Sequence, residues 1–254
     1  MSVDGSNPRV VALVPMRHGS ERAPGKNHRV FAGKPLSCWV IDALLESGVI
    51  DEILIDTDSP PVREICERYP AGVRVVDRPE ELAGGMVSMN DVIARDLGLV
   101  DAGVVIQTHA TNPLLRPGTI ASALGAYCEN LHAQDSLFTV TRRQTRFYSS
   151  VGQPLNHDPE VLERTQDLEP YYEENSCLYV FSPESFGETG RRIGRRPLMI
   201  ALDPIESVDI DDERDFVLAE SIARAGLIEG ADAPVPVAQG GRGTERSMGT
   251  GSAA

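Results

Sequence analysis

The chain has 254 residues, 41% of them hydrophobic and 24% charged, which is enough apolar material for one large α/β domain or two small ones. Its formal net charge of −14 argues against nucleic acid as a partner, though a local basic loop can still hold a nucleotide. No stretch approaches the roughly 20 apolar residues of a membrane span, and the opening MSVDGSNPRVV lacks the basic-then-apolar pattern of a secretory signal.

In chain order, residues 1–9 read as a disordered N-terminus and 10–14, VVALV, as the first strand. A turn-rich loop, 15–27, follows it. Arg17, Arg22 and Lys26 in the loop, with Arg29 just beyond, place four cations within thirteen residues. A buried strand emptying into a Gly/Ser/Pro loop of this kind suits phosphate: loop N–H groups supply dipoles, Arg a planar fork and Lys a point charge. The loop is not a Walker A motif, because it has no GxxxxGK[ST]. A solvated loop with incidental charges is the alternative.

Gly33-Lys34-Pro35 marks a turn, and Leu36, Val40, Ile41, Leu44 and Leu45 recur at helical spacing up to Gly48. Strands are expected at 51–56, 73–76 and 104–107, and helices at 61–68, 88–97 and 120–127. This β-α alternation predicts an α/β fold with a mostly parallel sheet covered on both faces. Ligands in such folds sit beyond the carboxyl ends of the strands. Those loops hold Arg17, Lys26, Asp56, Asp58, Arg78 and His109 to Asn112. Arg78 suits either a nucleotide contact or a structural ion pair. His109 suits either a substrate contact or a hydrogen-bonded structural role.

The pattern then changes. Strands are expected at 136–140, 177–181 and 198–202, a short one at 208–210, and a last helix at 216–225. From Gly230 the Ala/Pro/Gly/Ser content predicts a disordered tail, so the domain spans 10–228 and the tail 229–254. Asp209 and Asp211 alternate, and at a strand end they would point the same way. Two carboxylates beside a phosphate site suit Mg²⁺, while Asp211 or Asp212 equally suits the N-cap of the following helix. Residues 142–174 are too polar for a core unit and too long for an ordinary connection. They carry Phe147, Tyr148, Leu155, Val161, Leu162, Leu168, Tyr171 and Tyr172, which predicts an arm packed on a second subunit of a homodimer. Cys38, Cys66, Cys128 and Cys177 lack metal-site spacing and are expected as buried free thiols, consistent with a reducing cytoplasm.

Taken in order, these motifs resemble a known family. Pro15-Met16-Arg17-His18-Gly19-Ser20 through Pro24-Gly25-Lys26-Asn27 resembles the opening loop of the sugar-acid cytidylyltransferases, which include the acylneuraminate and 3-deoxy-manno-octulosonate synthetases. Ala32-Gly33-Lys34-Pro35-Leu36, Thr57-Asp58, Arg78-Pro79 with Leu82-Ala83, and Thr111-Asn112-Pro113-Leu114 match later segments. The segment from Arg164, Gln166 and Asp167 to Asn175 and Tyr179 resembles the family's substrate side, and Asp209-Ile210-Asp211 its metal turn. The resemblance covers residues 10–226. The sequence departs from the pattern at Arg22, Gly85, Ala110 and Ser176, the last standing where the family has Gly.

The resemblance implies a three-layer, Rossmann-like nucleotidyltransferase (GT-A-like) fold with a dimerisation arm. It implies transfer of CMP from CTP to a nonulosonic or related 2-keto-3-deoxy sugar acid, with release of pyrophosphate. Arg17 and Lys26 would stabilise the triphosphate, and Asp209 and Asp211 would hold Mg²⁺. Pro15, Met16, Arg17, His18, Asn27, Arg78 and Ser88 would hold the nucleotide. His109, Arg164, Gln166 and Tyr179 would face the anionic acceptor. A phosphonate or other small acid as acceptor, and a non-catalytic nucleotide-binding regulator, are the competing readings.

Overall fold

The computed structural model describes residues 8–19, 22–230 and 233–237. The strand β1 (Val10–Met16) is buried along its whole length. An unbroken apolar run of this kind requires neighbours on both edges and cover on both faces. On its edges lie β4 (Glu52–Thr57) and β6 (Val104–Thr108), both parallel to it. Side-chain alternation sends Ala12, Val14 and Met16 to one face and Val11 and Leu13 to the other.

On the first face pack α1 (Leu36–Glu46), α2 (Pro60–Cys66) and α4 (Pro117–Glu129), through Val40, Ile41, Leu44, Val62, Ile120 and Tyr127. On the second, Ile93 of α3 (Met89–Leu97) and Phe186 of α5 (Pro183–Thr189) meet Leu13, Leu54, Val105 and Phe181. The hairpin β2 (Val30–Phe31) and β3 (Lys34–Pro35) turns through Ala32 and Gly33, both at positive φ. It packs Phe31 and Leu36 against Ile210 and Phe216 of α6 (Glu213–Arg224).

The other strands are β5 (Val73–Asp77), β7 (Ser136–Arg143), β8 (Tyr171–Phe181), β9 (Pro197–Leu202) and β10 (Val235–Pro236). The eight-stranded sheet has the order β10-β9-β7-β8-β6-β1-β4-β5. Only β8 and β10 oppose the common direction. The sheet is therefore mostly parallel, as expected, and the carboxyl ends of six strands share one edge. Because β8 runs the other way, pairing Leu178 with Thr108, its Asn175 and Ser176 overhang that same edge.

Several boundaries differ from the sequence reading. Strand β7 runs on to Arg143 and β8 begins at Tyr171, with 140–143 paired to 171–174, so the irregular arm is 144–170. Charged residues are tolerated there because the ladder hydrogen-bonds through backbone while the side chains face solvent. Residues 208–210 form no strand. They are a loop tied down where the Ile210 amide donates to the Thr111 carbonyl at 2.8 Å. Helix α5 was not anticipated, although Ser182 caps it by accepting from the Ser185 amide and Pro183 opens it. Within the expected tail, Val235–Pro236 pairs with Ile200 and Ala201 as an edge strand, where Pro is tolerated. In the expected disordered start, Arg9 pairs with Glu52 at 2.6 Å. Residues 1–7 and 238–254 lie outside the described residues. All four cysteines are free, but only Cys66 and Cys177 are buried, and Cys128 is exposed.

Candidate active site

A cavity of about 460 Å³ opens at the shared carboxyl edge. The end of β1 supplies Pro15 to it, and the loop that follows supplies Arg17, Arg22, Lys26 and Asn27. Gly25, at φ 65°, lets the chain turn immediately before Lys26, and a Cβ there would meet the His28 ring at 2.7 Å. The Lys26 ammonium donates to the Ile210 carbonyl in a short hydrogen bond. Burial pulls its pKa below the ordinary lysine value, while Asp209 and Asp211 pull it back up. Arg22 pairs with Asp211 at 2.8 Å, and the Asn27 amide donates to the Arg17 carbonyl at 3.2 Å.

Asp209 and Asp211 both line this cavity, from a loop rather than a strand end. Burial raises the Asp209 carboxyl above its ordinary value, the Thr111 hydrogen bond opposes that, and repulsion from Asp211 adds to it. Asp209 Oδ1 is buried with no hydrogen-bond partner among the described residues. A buried orphan carboxylate oxygen facing a cavity, with a second carboxylate beside it, fits a hard divalent cation that completes its shell with phosphate oxygens. Among the described residues no third His, Cys, Asp or Glu converges there, so the protein alone would supply only part of such a shell. The helix cap is Asp212, which accepts from the Arg214 and Asp215 amides in a capping box with Asp215. The two cavity-facing carboxylates and the helix cap are thus separate residues.

On the β4–β5 side, Arg78 lines the cavity while its guanidinium pairs with fully buried Asp56. The other Asp56 oxygen takes Arg95 at 2.7 Å, and Arg95 also reaches buried Asp96 at 3.1 Å. Burial pushes Asp96 up to about 8, and its proximity to Asp56 adds to the shift. Arg78 thus makes the structural ion pair that its sequence position allowed, and it also lines the cavity. Met16 is buried under the loop. His18 points to Ser59 at 3.0 Å, and its amide donates to Asp58 at 2.6 Å, so Thr57-Asp58 brace the loop rather than face the cavity. Ser88 caps α3 by accepting from the Asn90 amide at 3.2 Å, and its neighbour Met89 is the one that lines the wall.

On the β6–β8 side the wall is His109, Ala110, Thr111, Ser176 and Arg192. A bulge in β8, opposite Thr139 of β7, takes up residues 175–178. The Thr139 hydroxyl donates to Asn175 Oδ1 at 2.7 Å and accepts from the Leu178 amide at 3.0 Å. The bulge sets Ser176 at φ 58°, a left-handed conformation that favours glycine, and turns it into the cavity. Burial, with Arg192 and Lys26 nearby, drives the His109 imidazole down to about 3, so the ring is neutral. Tyr179 is fully buried, and Arg192 lies over its ring at 3.8 Å.

Arg164 and Gln166 do not reach the cavity of their own chain. Arg164 is exposed on the arm and pairs with Asp167 at 2.7 Å, and the Gln166 carbonyl accepts from the Gln144 side chain at 2.9 Å. Arg192 escaped the sequence reading because it sits in Arg191-Arg192-Ile193-Gly194-Arg195-Arg196, which reads as a solvated basic run. Ser176 left one signal, its place where the resemblance has Gly.

The cytidylyltransferase family matches residues 11–214. The chain is 30% identical over 229 residues to the CMP-N,N'-diacetyllegionaminic acid synthase of Legionella pneumophila, covering 84% of this chain and 96% of that protein. It is 30% identical over 236 residues to N-acylneuraminate cytidylyltransferase A of Danio rerio, covering 89% of this chain, and spans about half (53%) of that longer protein. In fold it resembles the CTP complex of a CMP:2-keto-3-deoxy-manno-octonic acid synthetase, with a TM-score of 0.62 at 15% identity, covering 86% of this chain and 99% of that one.

Proposed function

The chain belongs to the cytidylyltransferase family, and on that premise we propose that it transfers CMP from CTP to a nonulosonic or related 2-keto-3-deoxy sugar acid. The observation that carries the reading is the convergence of Arg17, Arg22 and Lys26 with Asp209 and Asp211 on one cavity at the carboxyl edge of β1. A triphosphate is the small ligand that needs three cations and a two-carboxylate cation site together.

In the reaction an acceptor hydroxyl loses its proton to solvent as its oxygen bonds to the α-phosphorus, the bond to the bridging oxygen breaks, and pyrophosphate leaves with the electron pair. Negative charge grows on the non-bridging and leaving oxygens. Lys26 is tethered beforehand on the Ile210 carbonyl and Arg22 on Asp211, with Arg17 on the same wall, so positive charge already stands where it is needed. Lys26 is well suited because its ammonium is held on the Ile210 carbonyl between the two aspartates. Asp209 and Asp211 would hold Mg²⁺, which would offset phosphate charge. Arg78 and the Pro15–Arg17 backbone face the cytidine side, and His109, Ser176 and Arg192 the acceptor side.

The 144–170 arm bears exposed Val151, Leu155, Val161 and Leu162. It packs on a second copy of the chain, which brings Arg164 and Gln166 toward the partner's acceptor pocket. A phosphonate acceptor is the second reading, favoured by the additional cation Arg192. The deciding experiment is pyrophosphate release from CTP and Mg²⁺ with N,N'-diacetyllegionaminate, N-acetylneuraminate, 2-keto-3-deoxy-manno-octonate and phosphonoacetate. Release with one of the sugar acids is expected. Release with none of them, by folded protein, would sink the reading.

A further inference from the structure

We propose that Arg192 is a specificity-determining residue that binds an anionic group, carboxylate or phosphonate, on the acceptor. This rests on the cytidylyl-transfer reading, and it assigns the recognising cation to a residue outside the arm. Sheet order supplies the first argument. The phosphate loop follows β1, Arg78 follows β5 and pairs with Asp56 of β4, and Arg192 lies over β6 and β8 on the opposite side of β1. A nucleotide held by Arg78 and the phosphate loop leaves Arg192 facing whatever enters from the other side.

The second argument is how firmly the guanidinium is held. Its plane lies over the Tyr179 ring at 3.8 Å. Its Nη1 donates to Gln107 Oε1 at 2.7 Å and approaches His109 Nε2 at 3.3 Å. Gln107 Nε2 lies 3.1 Å from that same His109 nitrogen. Both neighbours of His109 Nε2 are donors, so this nitrogen accepts and the ring proton sits on Nδ1. A neutral histidine in that tautomer orients the arginine without adding a charge. Nη2 has only a 3.8 Å approach to Glu174, whose Oε1 already accepts from the Tyr179 hydroxyl.

The third argument is charge balance. Arg22 is matched by Asp211 at 2.8 Å, Arg78 by Asp56, and Lys26 by Asp209 and Asp211. Arg192 has a side-chain exposure of 19%, and among the described residues the one carboxylate within ion-pair reach, that of Glu174, lies at 3.8 Å. A nearly buried, preoriented fork with donors left over is the arrangement that receives an anionic oxygen pair.

The test titrates acid and methyl-ester forms of N-acetylneuraminate and 2-keto-3-deoxy-manno-octonate, and phosphonoacetate, into the full chain by calorimetry. Mg²⁺ and a CTP analogue with a non-cleavable α–β bridge are present, and pyrophosphate release from CTP is followed in parallel. Arg192→Met keeps the stem over Tyr179 and removes the fork, and Arg192→Lys keeps the charge. The expected result is an acid that binds wild type, loses about ten-fold or more in Arg192→Met and recovers part of it in Arg192→Lys. Its ester should be unmoved by either change, and the affinity for the CTP analogue should stay within about two-fold, as expected of a residue that does not touch the nucleotide. If only phosphonoacetate shows this dependence, the anionic group is a phosphonate and the assignment stands. Unchanged acid affinity in Arg192→Met, or equal loss for acid and ester, overturns it. Arg192-dependent binding without pyrophosphate release keeps the site and overturns the transfer reading. An absence of binding by any acid to wild type overturns both.

Discussion

The phosphate wall and the arm are both polar loop, yet they are held by opposite means. The wall is fixed by contacts distant in sequence. Lys26 donates to the Ile210 carbonyl, Arg29 forks onto Glu213 at 2.7 and 2.8 Å, and the Thr57 hydroxyl donates to the Met16 carbonyl. The arm is stitched to itself. Gln144 donates to the Gln166 and Leu168 carbonyls at 2.9 Å, and Asn156 to those of Thr145 and Glu169 at 2.8 and 3.0 Å. Phe147 meets Tyr171 at a tilt with 5.2 Å between ring centres, yet Leu162 remains 91% exposed and Val151 79%. A wall braced across the fold is suited to hold charge in fixed positions. A self-braced arm that leaves several apolar side chains exposed is suited to dock as a unit.

The largest effect is expected at the wall. Lys26→Ala removes one preorganised cation at a developing charge, and turnover should fall by about 10²-fold or more with the melting temperature little changed. Near-normal turnover in a folded variant would remove Lys26 from the chemistry. Asp209→Asn and Asp211→Asn should each raise the Mg²⁺ needed for half-maximal rate by roughly ten-fold or more. Asp212→Ala is the control, because Asp212 caps α6: it should lower the melting temperature and leave the Mg²⁺ requirement alone. A shifted Mg²⁺ curve in Asp212→Ala, or none in the other two, would break the division between donors and cap.

The arm is tested by mixing subunits, one carrying Lys26→Ala and the other Arg164→Ala with Gln166→Ala. If each pocket draws on both chains, one pocket of the mixed dimer has a full set of groups, and roughly a quarter of the activity should return in an equal mixture. A fully active chain that sediments as a monomer would end the idea that the arm completes a site.

The smallest effect is on stability beneath the wall. Asp96 holds its proton more tightly folded than unfolded, rising from 3.8 to about 8 because it is buried beside Asp56. Between those values the folded state binds more protons, so this group's contribution falls as pH rises from about 4 to about 8. Asp96→Asn should flatten that slope in chemical denaturation run across the window. An identical slope in wild type and variant would mean that Asp96 ionises freely in the fold.

Much of this was legible in the chain itself. The unbroken apolar run of β1 and the β-α alternation after it set a mostly parallel sheet, because such strands must be covered on both faces. That placed Arg17, Lys26, Arg78 and His109 at one edge before any coordinates, since parallel strands end together. Spacing also brought Asp209 and Asp211 to the same pocket, though the backbone between them is a loop tied to Thr111 rather than a strand. Local sequence could not show which arginine of Arg191, Arg192, Arg195 and Arg196 turns inward. That depends on Tyr179, Gln107 and His109, from two other strands. Nor could it show that Ser176 is turned inward by a bulge opposite Thr139, because register is a property of paired strands. Residue type and period determine which segments are strands, helices and charged loops. Which charges meet, and how each is held, is decided only by the packing of segments far apart in sequence.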